Sequence, residues 1–356
     1  MFADALESNN TGIYNRKELA ELLKQAIKRR DFSRLGFVKI FFKEGSLSQL
    51  LVESKAEMVW LNDWHNTHEC TYAISVDKGK KQVLLSFRGA YTKTDWKHIW
   101  DMKFASTGNP IEESYPGRPK NISLHSGFHK YLFRSRKDTG TTKYDEITSK
   151  LAFYCDQVGE GVKVIVTGHS LGAALTTVVA LYASTDERFT RYGALEAVPF
   201  GGPYVGGYKF SDVVRYQESK GKLRIARFHN SRDGVAHLPP ALMSMSKRGA
   251  LYFSNGIDVK LPLIRKGIFS CLPQPQPIMT FKCKQSFLKS YCRQAREWYF
   301  FNLPVRVWLS GRMHSLNETK KRLELIKLLD DHESSPLVKY SLEELYDMRD
   351  ELKTSA

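Results

Sequence analysis

Cysteine is scarce in this chain: Cys70, Cys155, Cys271, Cys283 and Cys292 are the five among 356 residues. The number is odd and no C-x-x-C occurs, so neither a disulfide framework nor a zinc site is indicated. Acidic residues are also short, 38 Asp and Glu against 54 Lys and Arg, for a net charge of +16. No basic stretch followed by an apolar run opens the chain, so no signal peptide is expected. That reading favours an intracellular location, cytoplasmic or membrane-associated, and leaves little meaning to the glycosylation patterns at Asn9, Asn121 and Asn317. A long unbroken apolar run is missing as well. The longest apolar window, 162–183, is interrupted by Gly168, His169 and Ser170, which argues against a membrane span. Internal repeats are absent.

What is present fits a folded α/β chain. Apolar residues make up 42% and charged residues 26%, as in ordinary globular proteins. Between Ala241 and Arg322 there are 15 Lys and Arg against Asp258, Glu297 and Glu318, a local net of +12. A basic balance can serve nucleic acid, an anionic membrane or solubility. No helix-turn-helix, RNP or zinc-finger pattern accompanies it, so no nucleic acid partner is expected.

The most informative stretch is Lys163 to Leu175. Val164, Ile165, Val166 and Thr167 read as a fully buried strand. Gly168-His169-Ser170-Leu171-Gly172 ends it, and an Ala-rich helix follows. With glycine and serine each near 7% of residues, G-x-S-x-G arises by chance in roughly one chain in ten of this length. Its context between strand and helix is what marks a nucleophile elbow. A sharp strand-to-helix turn exposes the Ser170 hydroxyl, and side chains at positions 168 and 172 would clash there. The helix N-terminus then faces the place where an oxyanion would form.

The remaining pattern supports a mainly parallel sheet flanked by helices. Helices are expected from Asn15 to about Arg30 and from Ser46 or Ser48 to about Trp60, making 1–60 an N-terminal helical segment packed on the core. The sheet is expected to begin at Thr71, with a hairpin of Tyr72–Val76 and Gln82–Phe87. A polar loop is expected from Phe104 to Asn121, then helices opening at His125 and over Lys143–Gln157. Further strands are expected at Ala197–Phe200 and Leu223–His229, and a hairpin around Asp258. The main domain spans 61–330, with a basic, partly Pro-rich insertion at about 262–312. Ser315-Leu316-Asn317-Glu318 is a capping box for a helix to about Leu329. An acidic helix or tail fills 331–356.

A serine nucleophile needs a base, an acid to orient it and an oxyanion hole. With the elbow first, the chain order should be serine, acid, histidine. Asp233 follows the strand Leu223–His229, whereas Asp212 sits within a helix, so Asp233 is the favoured acid. Among later histidines, His229 and His237 flank Asp233 too closely and His332 lies in an acidic stretch. His314, directly before the capping box, is the favoured base. The oxyanion hole would use the N–H of Leu171 and that of Ala90, after the Phe87-Arg88-Gly89 strand end.

These segments resemble the fungal-type triacylglycerol lipases, often called class 3, of the α/β-hydrolase superfamily. The resemblance rests on Gly168–Ala174, on the hairpin ending Phe87-Arg88-Gly89, on His125-x-Gly127-Phe128, on Phe200-Gly201-Gly202-Pro203-x-Val205-Gly206, and on Asn230–Pro240. It spans 72–240, and it implies a lid near Tyr91–Phe104 containing Asp95-Trp96. Ala90 departs from the family, which usually has Ser or Thr there: the N–H is kept and a hydroxyl is lost. Tyr252–Gly256 departs too, with Ser254 where the family has His. The function implied is a serine hydrolase of lipid acyl esters, most simply acylglycerols, needing no metal or cofactor. A phospholipase A1 or galactolipase would keep the chemistry and change the substrate. A non-catalytic lipid- or protein-binding module is the rival of another class. The 281–312 segment mixes Trp298, Tyr299, Phe300, Phe301 and Trp308 with Lys and Arg. That suits a peripheral membrane or lipid-droplet surface, and equally aromatics in the core with bases in water.

Overall fold

The computed structural model describes residues 56–62, 70–90, 92–101, 103–136, 139–230, 233–238, 257–261, 314, 315 and 319. The two N-terminal helices up to residue 55, the Ser254 block, the basic insertion and the acidic tail lie outside the described residues.

The central sheet has seven strands. In chain order they are β1 (Glu57–Leu61), β2 (Tyr72–Asp77), β3 (Gln82–Phe87), β6 (Lys163–His169), β7 (Leu195–Phe200), β8 (Leu223–Asn230) and β9 (Ile257–Leu261), and they neighbour one another in that same order. Strands β1, β2 and β3 pair antiparallel, and every pair from β3 to β9 is parallel. Parallel strands buried on both faces should be rich in β-branched and aliphatic residues. Val164, Val166, Leu195, Ala197, Leu223 and Ile225 are fully buried accordingly. The β2–β3 hairpin turns where the Asp77 carboxylate accepts the Lys80 N–H at 3.0 Å, a local bond that favours a turn over a continuing strand.

Helices α1 (Lys93–Trp100), α2 (Ser126–Phe133), α3 (Lys143–Val158), α4 (Leu171–Ala183), α5 (Glu187–Thr190) and α6 (Tyr208–Ser219) connect and cover these strands. Helix α3 packs on β2 and β3, and α4 packs on β3, β6, β7 and β8. Helix α4 is apolar nearly all round, which suits a helix buried on every side; Tyr182 alone of its residues is not buried. Capping boxes start α1 and α3, with Thr92 paired to Asp95 and Thr142 to Asp145. Each satisfies two N–H groups that the helix leaves unpaired.

Two expectations are corrected. The helix expected to run to Trp60 is instead β1, paired antiparallel with β2, so the sheet begins at Glu57 rather than Thr71. The strand wins because Met58 to Leu61 meet an open edge of β2 whose backbone groups need partners. The stretch expected as a polar loop holds β4 (Phe104–Gly108), paired with β5 (Asn121–His125) in a second, two-stranded sheet. Asp258 lies in β9, which runs parallel to β8; the rest of the hairpin expected around it lies outside the described residues. Among the described residues, no helix is long and apolar enough to cross a membrane.

Candidate active site

The candidate site lies at the C-terminal ends of β3, β6, β7 and β8, where loops of a parallel sheet converge. Ser170 sits between β6 and α4 with φ 58° and ψ −120°, a conformation that costs an L-residue roughly 1–3 kcal/mol. The turn is tight enough that a Cβ on Gly168 would lie 2.5 Å from the Gly172 carbonyl, and one on Gly172 would lie 2.5 Å from the Phe87 oxygen. These two glycines are therefore requirements of the turn. The Ser170 N–H donates to the Phe200 carbonyl at 3.0 Å, fixing the elbow to the end of β7. Leu171 and Gly172 open α4, so their N–H groups have no acceptor within the helix.

Beside the elbow, β3 runs in register with β6, with Phe87 opposite Gly168. The loop that follows crosses Ser170 closely: a Cβ on Gly89 would lie 3.6 Å from the Ser170 Cβ. Arg88 holds this loop through its Nε, which donates to the Gly89 carbonyl at 3.3 Å, and its Nη2, 3.0 Å from Asp95 Oδ2. Asp95 is buried and accepts also from the Thr92 N–H and from the Tyr131 hydroxyl. Desolvation and the neighbouring Asp95 carboxylate raise the Tyr131 pKa, so its hydroxyl stays protonated and donating. The segment after β3 is thus anchored through Asp95 to α1 and α2.

Asp233 is buried just after β8. Its Oδ1 accepts the N–H groups of Val235 at 2.9 Å and Ala236 at 3.3 Å. Nδ1 of His314 lies 3.1 Å from Oδ1 and 3.0 Å from Oδ2, although 81 residues separate the pair. A carboxylate only accepts, so Nδ1 carries the proton, and in the neutral imidazole Nε2 presents the lone pair. That Nε2 is buried without a hydrogen-bond partner. Gly201 closes over the pair with φ +59°; a Cβ there would lie 3.1 Å from Asp233 Oδ2 and 3.3 Å from His314 Nδ1.

The structure thus brings Asp233 and His314 into direct contact and puts His169 against them, with its ring centroid 4.6 Å from that of His314. Ser170 and His314 Nε2 do not form a hydrogen bond with each other. Such contacts are often long before substrate is bound. Of the rejected candidates, His229 is buried within β8 and Asp212 lies on α6 paired with Arg215; His332 is outside the described residues. Among the described residues, no cluster of His, Cys, Asp or Glu has the makings of a metal site.

Gly201 and Arg227 carry structural tasks at the site that have no sequence signal of their own. Gly201 was visible only as part of a block, and its positive φ depends on the loop after β7. The buried Arg227 reaches from β8 to the carbonyls of Gly202 and Ala236, a contact with no signature in local sequence.

A strained serine between a buried parallel strand and a buried helix, with a histidine–carboxylate pair at the neighbouring strand ends, defines the α/β-hydrolase class. Residues 84–243 match the family model Lipase (class 3). The chain is 29% identical over 166 residues to the chloroplastic phospholipase A(1) DAD1 of Arabidopsis thaliana, covering 46% of this chain and 35% of that protein. It is 29% identical over 191 residues to phospholipase A1-II 6 of Oryza sativa subsp. japonica, covering 48% and 44%. The chain therefore spans less than half the length of these relatives. A crystal structure of a lipase from Rhizopus microsporus var. chinensis aligns with TM-score 0.42 and 22% identity, over 70% of this chain and 76% of that one.

Proposed function

We propose that this chain hydrolyses lipid acyl esters by a Ser170–His314–Asp233 triad. The observation that carries the reading is the His314 ring: Asp233 fixes its Nδ1–H, and Nε2 is left buried and unpartnered on the side of the sheet that presents Ser170. Ser170 Oγ attacks the ester carbonyl while its proton passes to His314 Nε2. The N–H groups of Leu171 and Ala90 hold the tetrahedral oxyanion, the former at the start of α4 where the helix dipole adds to it. His314 then protonates the leaving alcohol, and the acyl group stays on Ser170 Oγ. Water, deprotonated by His314, attacks the acyl-enzyme and releases the fatty acid. Each preorganised oxyanion donor contributes on the order of 10²-fold. Ala90 lacks the hydroxyl that could add a further one.

The substrate surface is inferred from α1. Its exposed residues Lys93, Trp96, Lys97 and Trp100 recur at i, i+3, i+4 and i+7, hence on one face. Trp96 is 48% and Trp100 61% exposed, large areas for apolar side chains. Tryptophan with lysine on one helical face suits the boundary of an anionic lipid layer. Asp95 and Ile99, on the opposite face, anchor the helix beside the loop that borders Ser170. Acylglycerols presented at such a surface are the first substrate reading. The phospholipase A1 names of the plant relatives favour a second, removal of the sn-1 acyl chain of a phospholipid.

Hydrolysis of a short-chain nitrophenyl ester by wild type, Ser170→Ala and His314→Ala tests the chemistry. Loss of turnover in both variants is expected, and wild-type turnover in Ser170→Ala would refute it. Product analysis on mixed vesicles of diacylglycerol and phosphatidylcholine decides between the two substrates: free glycerolipid fatty acid with intact phospholipid supports the first, lysophospholipid the second.

A further inference from the structure

His169 takes no part in the steps above, yet it grips the residue that does. Its Nε2 lies 2.7 Å from the main-chain carbonyl oxygen of His314, 145 residues away in sequence. A carbonyl only accepts, so Nε2 carries the proton and the tautomer of His169 is fixed. One turn beyond His314, the Asn230 Nδ2 donates to Thr319 Oγ1 at 2.8 Å, and Thr319 is buried. The Thr319 N–H and hydroxyl both donate to the Ser315 carbonyl, at 3.1 and 3.3 Å. Both Thr319 groups thus tie it to Ser315, the residue next to the base.

We infer that His169 and the Asn230–Thr319 pair are a two-point clamp on the backbone that carries His314, making His169 and Thr319 positioning residues for the base. The need for such a clamp follows from connectivity. Asp233 comes three residues after β8 and inherits its place from that strand. His314 is 53 positions past Leu261, the last residue of β9, and among the described residues no strand adjoins it in the chain. Among the described residues the ring hydrogen-bonds to Asp233, and that bond alone leaves the place of the backbone at residue 314 open. Holding the His314 carbonyl from the end of β6 and Thr319 from the end of β8 removes that freedom. Strands β6 and β8 flank β7, so the base is held across the same three strand ends that carry Ser170, Gly201 and Asp233.

The chemistry of His169 suits the task. Burial first, and then the neighbouring His314, push its pKa down to about 4. At neutral pH it donates as an uncharged group, so it places no cation beside His314 and does not oppose formation of the imidazolium during the reaction. An arginine or lysine could donate the same bond only by adding that charge.

The clamp rests on the serine-hydrolase reading, and one experiment separates the two. kcat and KM for a soluble nitrophenyl ester are measured for wild type, Ser170→Ala, His169→Phe, His169→Gln, Thr319→Val and Thr319→Ser, with thermal midpoints for each. A displacement of the base by about 1 Å costs on the order of 10²-fold. His169→Phe should therefore lower kcat by roughly that factor with KM nearly unchanged. His169→Gln, whose amide can still donate to the carbonyl, should recover most of it. Thr319→Val should lose roughly 10-fold in kcat and Thr319→Ser should not. If His169→Phe fails to fold, the Thr319 pair and the Gln variant give the same reading. Wild-type kcat in Thr319→Val together with equal kcat in the Phe and Gln variants would overturn the clamp. So would equal loss in Phe and Gln that follows their thermal midpoints, since that is a stability effect. Wild-type activity in Ser170→Ala would instead overturn the hydrolase reading.

Discussion

Replacing Asp233 by Asn should switch off the base without moving it. Oδ1 of Asp233 accepts the Val235 and Ala236 N–H groups. In Asp233→Asn those two donors select the amide orientation: the Asn oxygen must take the Oδ1 place, because an NH2 there would face two N–H groups. The Asn nitrogen is then forced into the Oδ2 position, 3.0 Å from His314 Nδ1, where it donates. Facing that amide N–H, Nδ1 favours accepting over donating to the retained oxygen at 3.1 Å; the imidazole proton then moves to Nε2, which has no lone pair left to take the proton from Ser170. A comparable tautomer inversion in a serine protease lowers kcat by about 10⁴, equivalent to about 5 kcal/mol of barrier. The same order is expected here, because the mechanism of loss is the same and the amide is pinned on both sides. The assay is kcat for a soluble ester across pH 6 to 10, with urea denaturation alongside. Stability should change little, since every hydrogen bond to the side chain keeps a partner. A kcat within 10-fold of wild type at pH 7 would refute the tautomer argument. A fall in stability equal to the fall in activity would refute the claim that geometry survives.

Gly201→Ala combines a positive φ, which costs an L-residue roughly 1–2 kcal/mol, with a Cβ only 3.1 Å from Asp233 Oδ2; kcat should fall at least about 10-fold, more than the thermal midpoint suggests, and unchanged kinetics would count against close packing over the pair. Burial pushes the pKa of His125 from 6.5 down to about 4, so the unfolded chain binds its proton first. The stability this gives is complete above pH 6.5 and is lost as pH falls through about 4, by up to about 3 kcal/mol. Urea midpoints measured from pH 7.5 to 4 should decline through that window, and a flat profile would contradict it. On α1, Trp96→Ala with Trp100→Ala should weaken binding to phosphatidylglycerol vesicles by roughly 10-fold. Lys93→Gln with Lys97→Gln should flatten the salt dependence of that binding. Binding by wild type that ignores both salt and lipid charge would remove α1 as the docking face.

The elbow was legible in the chain because its causes are local. Two glycines, a serine and a change of period from strand to helix occupy a dozen residues. The parallel strands were legible for a related reason: burial on both faces writes itself as short apolar runs. Strand β1 was not, because it buries none of its side chains fully, and Met58, Val59, Trp60 and Leu61 carry no alternation to separate strand from helix. The pair β4–β5 was hidden by composition, since Phe104-Ala-Ser-Thr-Gly108 is small and polar apart from its first residue. Asp233 and His314 could be named from chain order and position. Their pairing followed from those roles, but the bond from His169 to a carbonyl 145 residues away could not be read from the chain. A backbone acceptor has no residue identity, so no pattern of residue types can announce it.

The site is a set of loops that hold one another, each leaving a different strand. The loop after β3 is tied down through Arg88 and Asp95, and the elbow after β6 is tied to the end of β7 by the Ser170 N–H. The loop after β7 is tied to that after β8 by Arg227, whose guanidinium donates to the Gly202 and Ala236 carbonyls while stacking on Tyr204. Ala236 in turn donates its N–H to Asp233. A buried guanidinium bridging two carbonyls satisfies groups that would otherwise each be costly to desolvate, and here it also sets the distance between Gly201 and the acid. The parallel sheet supplies only the spacing between strand ends. What turns that spacing into a geometry able to hold a histidine against a carboxylate is this chain of side-chain to backbone bonds. Because each loop borrows its rigidity from the next, a substitution at Arg227 or His169 can reach Ser170 chemistry without touching it.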